Sequence, residues 1–156
     1  MTALRVAVIS VHTSPLARPG GAKAGGLNVY VLELTRRLAA LGCSIDIFSR
    51  ASSPDTPEVI EVAPGLRAVH LRAGPKRPLA PEAIYEHIDE FHAEVLRFAE
   101  RDGAAYDLIH SHYWLSGWVG LALQGRWQIP HVIMFHTLGE AKNRSYLAQR
   151  EPLYRI

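Results

Sequence analysis

The first apolar run of the chain, Arg5-Val6-Ala7-Val8-Ile9-Ser10-Val11, lacks polar alternation, the pattern of a strand covered on both faces. Leu27, Tyr30, Val31, Leu34, Leu38 and Leu41 then recur at helical spacing, which predicts an apolar stripe facing a sheet, with Glu33, Arg36 and Arg37 outside it. Gly42 supplies a helix stop, and Ser44 to Ser49 reads as a second strand. Strand, glycine-rich turn, helix and strand form a βαβ unit, whose crossover is expected to be right-handed. Arg50 to Pro57 is a loop by composition, followed by short strands at Val59–Val62 and Leu66–Arg72 that turn at Pro64-Gly65. After a loop at 74–78, a long helix is predicted from about Pro81 to Arg101, with Ile84, Ile88, Phe91, Val95 and Phe98 on its buried side. Asp107–His112 reads as a strand, Leu115–Arg126 as a helix and His131–Phe135 as a further strand. The alternation predicts a Rossmann-like, doubly wound α/β domain with a mainly parallel sheet. Tyr154-Arg155-Ile156 reads as the opening of another helix, so the chain is expected to be truncated.

Open parallel sheets bind ligands beyond the carboxyl ends of their strands. After the first strand come His12, Thr13 and the segment P-G-G-A-K-A-G-G-L-N-V-Y, Pro19 to Tyr30. The Asp107 strand delivers His112, Tyr113 and Trp114, and the last strand delivers His136, Thr137, Leu138 and Gly139. Glycines let backbone N–H groups approach an anion, and the helix that follows points its partially positive end at the same place. Imidazoles, hydroxyls and aromatic faces suit a polyol or sugar, so the pattern predicts recognition of a phosphate or sugar phosphate. His136 is the leading catalytic candidate, with a structural strand-end cap as the plainer reading. His110 and His112 share a strand face, yet no H-E-x-x-H, cysteine pair or acidic cluster completes a site, so no metal is expected. His110 reads as internal and hydrogen-bonded, and His112 as reaching the cleft. Trp114, Trp118 and Trp127 read as core. Lys142 and Arg144, like Lys76 and Arg77, suit either a solvated basic face or a phosphate contact.

Better-known glycine loops do not fit. Gly21 and Gly26 have the outer spacing of a Walker loop, but Leu27 and Asn28 replace its Lys and Ser/Thr. The second strand ends at Ser49-Arg50 without an acid for an NAD ribose. Arg50 would suit an NADP phosphate, which keeps an NADP-binding oxidoreductase domain open, although no Tyr-x-x-x-Lys pair exists. A non-catalytic sugar- or phosphate-binding module and a passive surface linker also stay open.

Composition narrows the class. The 156 residues suit one compact domain, and 48% apolar with 21% charged residues is ordinary for a globular protein. A formal charge of +2 gives no reason to expect nucleic acid. Cys43 is the only cysteine, so an intrachain disulfide is impossible; it reads as a buried inert thiol in a reducing compartment. No segment reaches the roughly 20 apolar residues of a bilayer span. A cytoplasmic location is expected.

Five stretches carry a family resemblance in order: V-I-S-V-H-T-S-P-L, A-G-G-L-N-V-Y-V, A-G-P, D-L-I-H-S-H-Y-W-L-S-G and F-H-T-L-G-E-A-K-N-R. Together they resemble the N-terminal half of GT-B glycosyltransferases of the retaining family 4 type, a group with sucrose synthases, sucrose-phosphate synthases and the mycothiol-pathway glycosyltransferase. The resemblance implies that residues 1–156 form the acceptor-side Rossmann-like domain, that the donor-binding C-terminal domain is absent, and that the fragment alone is inactive. It implies transfer of a hexosyl unit, with retention, from a nucleotide sugar such as a UDP- or GDP-hexose to a sugar, polyol or sugar-phosphate acceptor. Neither metal nor other cofactor is implied, since fixed dipoles and cations would stabilise the leaving diphosphate. Gly25 and Gly26 would meet the donor diphosphate, Asn28 would lie between donor phosphate and acceptor, and His136 would touch the transferred sugar with Thr137 beside it. Tyr113 falls among acceptor contacts, with His112 before it. The Lys and Arg of mycothiol-type enzymes align with Pro81 and Tyr154 here. Lys76-Arg77 or Arg155 are the candidate substitutes, and sucrose-type acceptors stay open.

Overall fold

A computed structural model describes residues 3–17, 25–145 and 151–155. Its strands are β1 (Arg5–Ile9), β2 (Ser44–Arg50), β3 (Val59–Ala63), β4 (Leu66–Leu71), β5 (Leu108–His112) and β6 (His131–Met134). They form a single six-stranded sheet in the order β3-β4-β2-β1-β5-β6. All pairs are parallel except the edge hairpin β3–β4, which turns at Gly65 (φ +75°), a conformation that favours glycine. The expected α/β class with a mainly parallel sheet is what forms. The first part of the glycine segment, 18–24, lies outside the described residues.

Two apolar clusters follow from the period of two along the strands. Val6 and Val8 of β1, with Ile45, Ile47 and Leu66, face α1 (Gly26–Ala40) through Val31. Ala7, Ile9, Phe48 and Ile109 face the other way, against α2 (Pro81–Tyr85), α3 (Ile88–Arg101) and α4 (Tyr113–Trp127). Chain direction explains the split. The β1–α1–β2 crossover moves one way along the sheet and the β5–α4–β6 crossover the other, so crossovers of one hand place their helices on opposite faces. The order reverses between β1 and β5, the switch point where such sheets leave a crevice.

Several expectations change in detail. β1 stops at Ile9 because the N–H of Val11 is taken by Ser116 Oγ of α4 (3.1 Å). The expected 81–101 helix is two helices, interrupted at Glu86 and His87 although the apolar period runs on. At the break the His87 ring fills the space beside Gly74 (φ +65°), and Glu90 accepts the Gly74 N–H (2.7 Å), so the 74–78 loop lodges there. On α1 the buried line is Asn28, Val31 and Thr35, whereas Leu41 is 82% exposed and Tyr30 turns to the sheet's carboxyl rim. Trp114 is core and Trp127 packs against it, but Trp118 is exposed. Cys43 is a free, half-buried thiol. The 139–145 segment forms α5 (Gly139–Ser145), and the expected terminal helix is represented by a short 3-10 turn, Leu153–Arg155. Among the described residues no helix is long and apolar enough to cross a membrane.

The amino end of the sheet carries a polar cluster. Asp46 of β2, almost wholly buried, accepts from Arg67 Nε (2.6 Å), Arg5 Nη2 (3.2 Å) and Tyr106 Oη (2.7 Å). Both arginines also reach Asp102. Hydrogen bonds to Asp46 and then Asp102 raise the Arg67 pKa, while burial foremost raises that of Tyr106. The cluster braces the sheet at the end opposite the crevice.

Candidate functional site

A cavity of about 420 Å³ lies at the switch point, lined by His12, Thr13, Gly25, Gly26, Leu27, Asn28, Tyr113, His136 and Thr137. Three strand ends and the start of α1 thus meet, as the sequence pattern requires. The loop after β1 is held by several side chains. Ser10 Oγ donates to the Thr13 carbonyl (2.9 Å), and Ser14 Oγ pairs with His70 Nε2 (2.8 Å). His70 Nδ1 faces the Pro57 carbonyl at 3.0 Å, and a carbonyl only accepts. His70 therefore carries its hydrogen on Nδ1, and Ser14 donates to the bare Nε2.

Two helix N-termini converge on this cavity. α1 opens at Gly25 and Gly26, and α4 opens at Tyr113; each has 15 residues and neither has an acid in its first turn. No carboxylate there opposes the positive helix ends. Among the described residues, a Cβ added at Gly25 or Gly26 would meet nothing within 4 Å. Asn28, on the first turn of α1, is 4% exposed, and both its amide nitrogen and oxygen are buried with no hydrogen-bond partner. Natural interiors pair such groups, so an orphaned amide in a cavity wall marks a place for a polar ligand.

Tyr113 (φ 76°) and His136 (φ 60°) both hold left-handed backbone, at about 1–3 kcal/mol each for non-glycine residues. That turn aims both side chains at the crevice. The Tyr113 ring lies 4.6 Å from the His12 ring, and its hydroxyl accepts from Arg155 Nη2 (2.5 Å). His136 Nε2 is 3.0 Å from His112 Nδ1. Tyr30 sets its ring edge-on to both, at 5.9 Å from His112 and 5.3 Å from His136. Burial, and secondarily His110 and His136, push the His112 pKa down to about 3; burial also lowers His110 and His136. At neutral pH these are uncharged, polar rings.

The predicted residues divide accordingly. Gly25, Gly26, Asn28, Tyr113, His136 and Thr137 share the cavity. His112 does not reach it: it is fully buried behind His136, while His110 keeps partial exposure, the reverse of the expected depths. Lys142 pairs with Glu151 (3.4 Å) and Arg144 with Glu140 (2.5 Å), and neither lines the cavity. Lys76 and Arg77 are exposed on their loop. Arg50 is not placed to grip an NADP phosphate. It is buried and donates to the carbonyls of Ala51 (3.2 Å), Pro75 (2.8 Å) and Arg77 (2.6 Å). Tyr30 fits the sheet stripe by spacing but sits at the rim instead, and its position one turn after Gly26 is the signal for that.

Residues 25–156 match the model of the glycosyl transferase 4-like domain family. The chain belongs to this family. A D-inositol 3-phosphate glycosyltransferase from Corynebacterium efficiens is 49% identical to this glycosyl transferase 4-like chain over 148 residues, covering 95% of the chain and 35% of the relative. Sucrose-phosphate synthase from Thermosynechococcus elongatus superposes with a TM-score of 0.87 at 39% identity, over 95% of this chain and 37% of that one. The catalytic domain of starch synthase IV from Arabidopsis thaliana, bound to ADP and acarbose, shares the fold at 16% identity, with a TM-score of 0.61 over 86% of this chain and 34% of that one. The chain spans about a third of the length of the curated relatives it matches.

Proposed function

We propose that this glycosyl transferase 4-like chain forms the acceptor-side wall of a retaining hexosyltransferase that uses a nucleotide sugar, such as a UDP- or GDP-hexose, as donor. The observation that carries the reading is the orphaned Asn28 amide, set in a cavity between two unopposed helix N-termini. A diphosphate supplies acceptor oxygens for the N–H groups at the start of α1, and negative charge is favoured at helix N-termini. As the sugar–phosphate bond breaks, charge grows on the leaving oxygen. Dipoles already aimed there stabilise it without reorganisation, so the reading needs no resident metal or other cofactor.

In this reading His136 and Thr137 touch the transferred sugar, with Asn28 between donor phosphate and acceptor. Tyr113 forms the acceptor end, its hydroxyl held by Arg155, which is itself paired with Glu151. Names of relatives, D-inositol 3-phosphate glycosyltransferase and sucrose-phosphate synthase, support a polyol or sugar phosphate as acceptor. The donor nucleotide would be gripped by a second domain, residues 1–156 being the N-terminal one, and the wall alone would not turn over. A cytoplasmic location accords with nucleotide-sugar use.

The test is product mass and anomeric configuration when the protein encoded by the full reading frame is given UDP-, GDP- and ADP-hexoses with polyol and sugar phosphates. Retained transfer to a phosphorylated acceptor is expected. Binding of NADPH with no transfer from any nucleotide sugar would overturn the reading.

A further inference from the structure

We infer that His112 sets the tautomer of His136, so that the cleft histidine offers its ligand an Nδ1–H donor and acts as neither base nor acceptor. The inference deepens the proposed function and rests on His136 meeting the transferred sugar. It begins from one contact, His112 Nδ1 to His136 Nε2 at 3.0 Å, which needs a single hydrogen between the two nitrogens.

Two arrangements supply it. If His136 donates, His112 must carry its hydrogen on Nε2, where the ring is buried and that nitrogen has no partner. A buried N–H would then be orphaned, a condition rare in folded proteins. If His112 donates from Nδ1, only the Nε2 lone pair lacks a partner, a less rare condition than a stranded N–H. A doubly protonated His112 is disfavoured by burial and by His110 and His136, whose ring centroids lie 4.3 and 5.3 Å away. The second arrangement is therefore the native one.

The consequence passes to the cavity. With Nε2 accepting from His112, a neutral His136 must hold its hydrogen on Nδ1, and Nδ1 is the only ring nitrogen left for a ligand. An N–H recognises a hydroxyl or phosphate oxygen as donor and cannot take a proton from an attacking hydroxyl. His112 is thus a positioning residue, buried because its task is to hold a hydrogen rather than to touch substrate. Its neighbours Ser111 and His131 (2.8 Å apart) lie on the opposite sheet face and form a separate pair.

The experiment is long-range 1H–15N spectroscopy of the imidazole rings in this chain, labelled at histidine nitrogen, at neutral pH. His112 and His136 are both expected as Nδ1–H tautomers, with the Nε2–H form of His136 about tenfold or more rarer. In His112→Phe, His136 loses that constraint and its Nε2–H form appears. In His112→Asn, whose amide N–H can replace the Nδ1–H donor, the Nδ1–H form of His136 persists. An Nε2–H His136 in the parent chain would overturn the inference, as would an unchanged tautomer in a natively folded His112→Phe. Should His112→Phe fail to fold, the parent chain and His112→Asn still decide it. These spectra need no substrate, so they can fail while nucleotide-sugar transfer stands, and the reverse outcome sinks only the proposed function.

Discussion

Replacing Asn28 by leucine sets stability against function at one position. Asn28 is 4% exposed, and both polar atoms of its amide are buried without partners in the unliganded chain. A buried amide lacking hydrogen bonds costs about 1–3 kcal/mol, and an apolar group of similar shape removes that penalty. Leucine is also the better helix former by a few tenths of a kcal/mol, and the site lies within the first turn of α1. Asn28→Leu should therefore stabilise the unliganded chain by about 1–3 kcal/mol, which for a domain of this size raises Tm by roughly 2–10 °C. Urea unfolding with fluorescence detection measures this, with an unchanged m value as the sign that only stability moved. The same variant should lose affinity for pyrophosphate or a nucleotide diphosphate. A loss of more than about 1 kcal/mol on Asn28→Leu would refute the reasoning, because the amide would then have a structural partner and no vacancy for a ligand.

Asp46→Ala should cost about 3 kcal/mol, the lower part of the range for breaking a buried ion pair, because Arg5 and Arg67 stay partly exposed. Tyr106→Phe, which deletes one hydrogen bond to the same carboxylate, should cost about 1 kcal/mol, and the double variant less than the sum; urea melts check all three. Gly120→Ala would drive a methyl into the Ser111–His131 pair and should cost about 1–3 kcal/mol, whereas Gly125→Ala, on the same helix with open space at its Cβ, should be neutral or stabilising. Stability should also fall with acid. The folded His112 value of about 3 lies below the usual 6.5, so between these pH values the unfolded chain binds the extra proton. The contribution is complete above pH about 6.5 and is lost toward pH 3 at about 1.4 kcal/mol per pH unit. Denaturant midpoints across pH in the parent and in His112→Phe read it, and an equal slope in both would contradict the assignment.

The parallel layout and the converging strand ends were legible because they rest on periodicity, which survives in one dimension. Depth was not. A period of two puts His110 and His112 on one face but says nothing of how far each lies from the rim, and the expected order was reversed. Asn28 is expected as a ligand contact from its place at the helix start, but its burial without a partner appears only once α1 docks beside the β1 loop. Tyr30 and Leu41 fit an apolar stripe by spacing, yet the rim and the solvent claim them. The helix interruption at Glu86–His87 was hidden by an unbroken apolar period, since its accompaniment is a contact with Gly74 a dozen residues earlier. Lys142 and Arg144 showed only their charge; Glu151 and Glu140 decide where they point.

The central claim is that the N-terminus of α1, with Asn28, receives the phosphate groups of a sugar donor at the switch point of the sheet. Backbone amide shifts of this chain, titrated with UDP-glucose and GDP-glucose, test it most directly. The account predicts saturable shifts concentrated at Gly25, Gly26, Leu27 and Asn28 and extending to Tyr113, abolished in Asn28→Leu. Shifts centred elsewhere, or none at millimolar ligand with the chain folded, would contradict it.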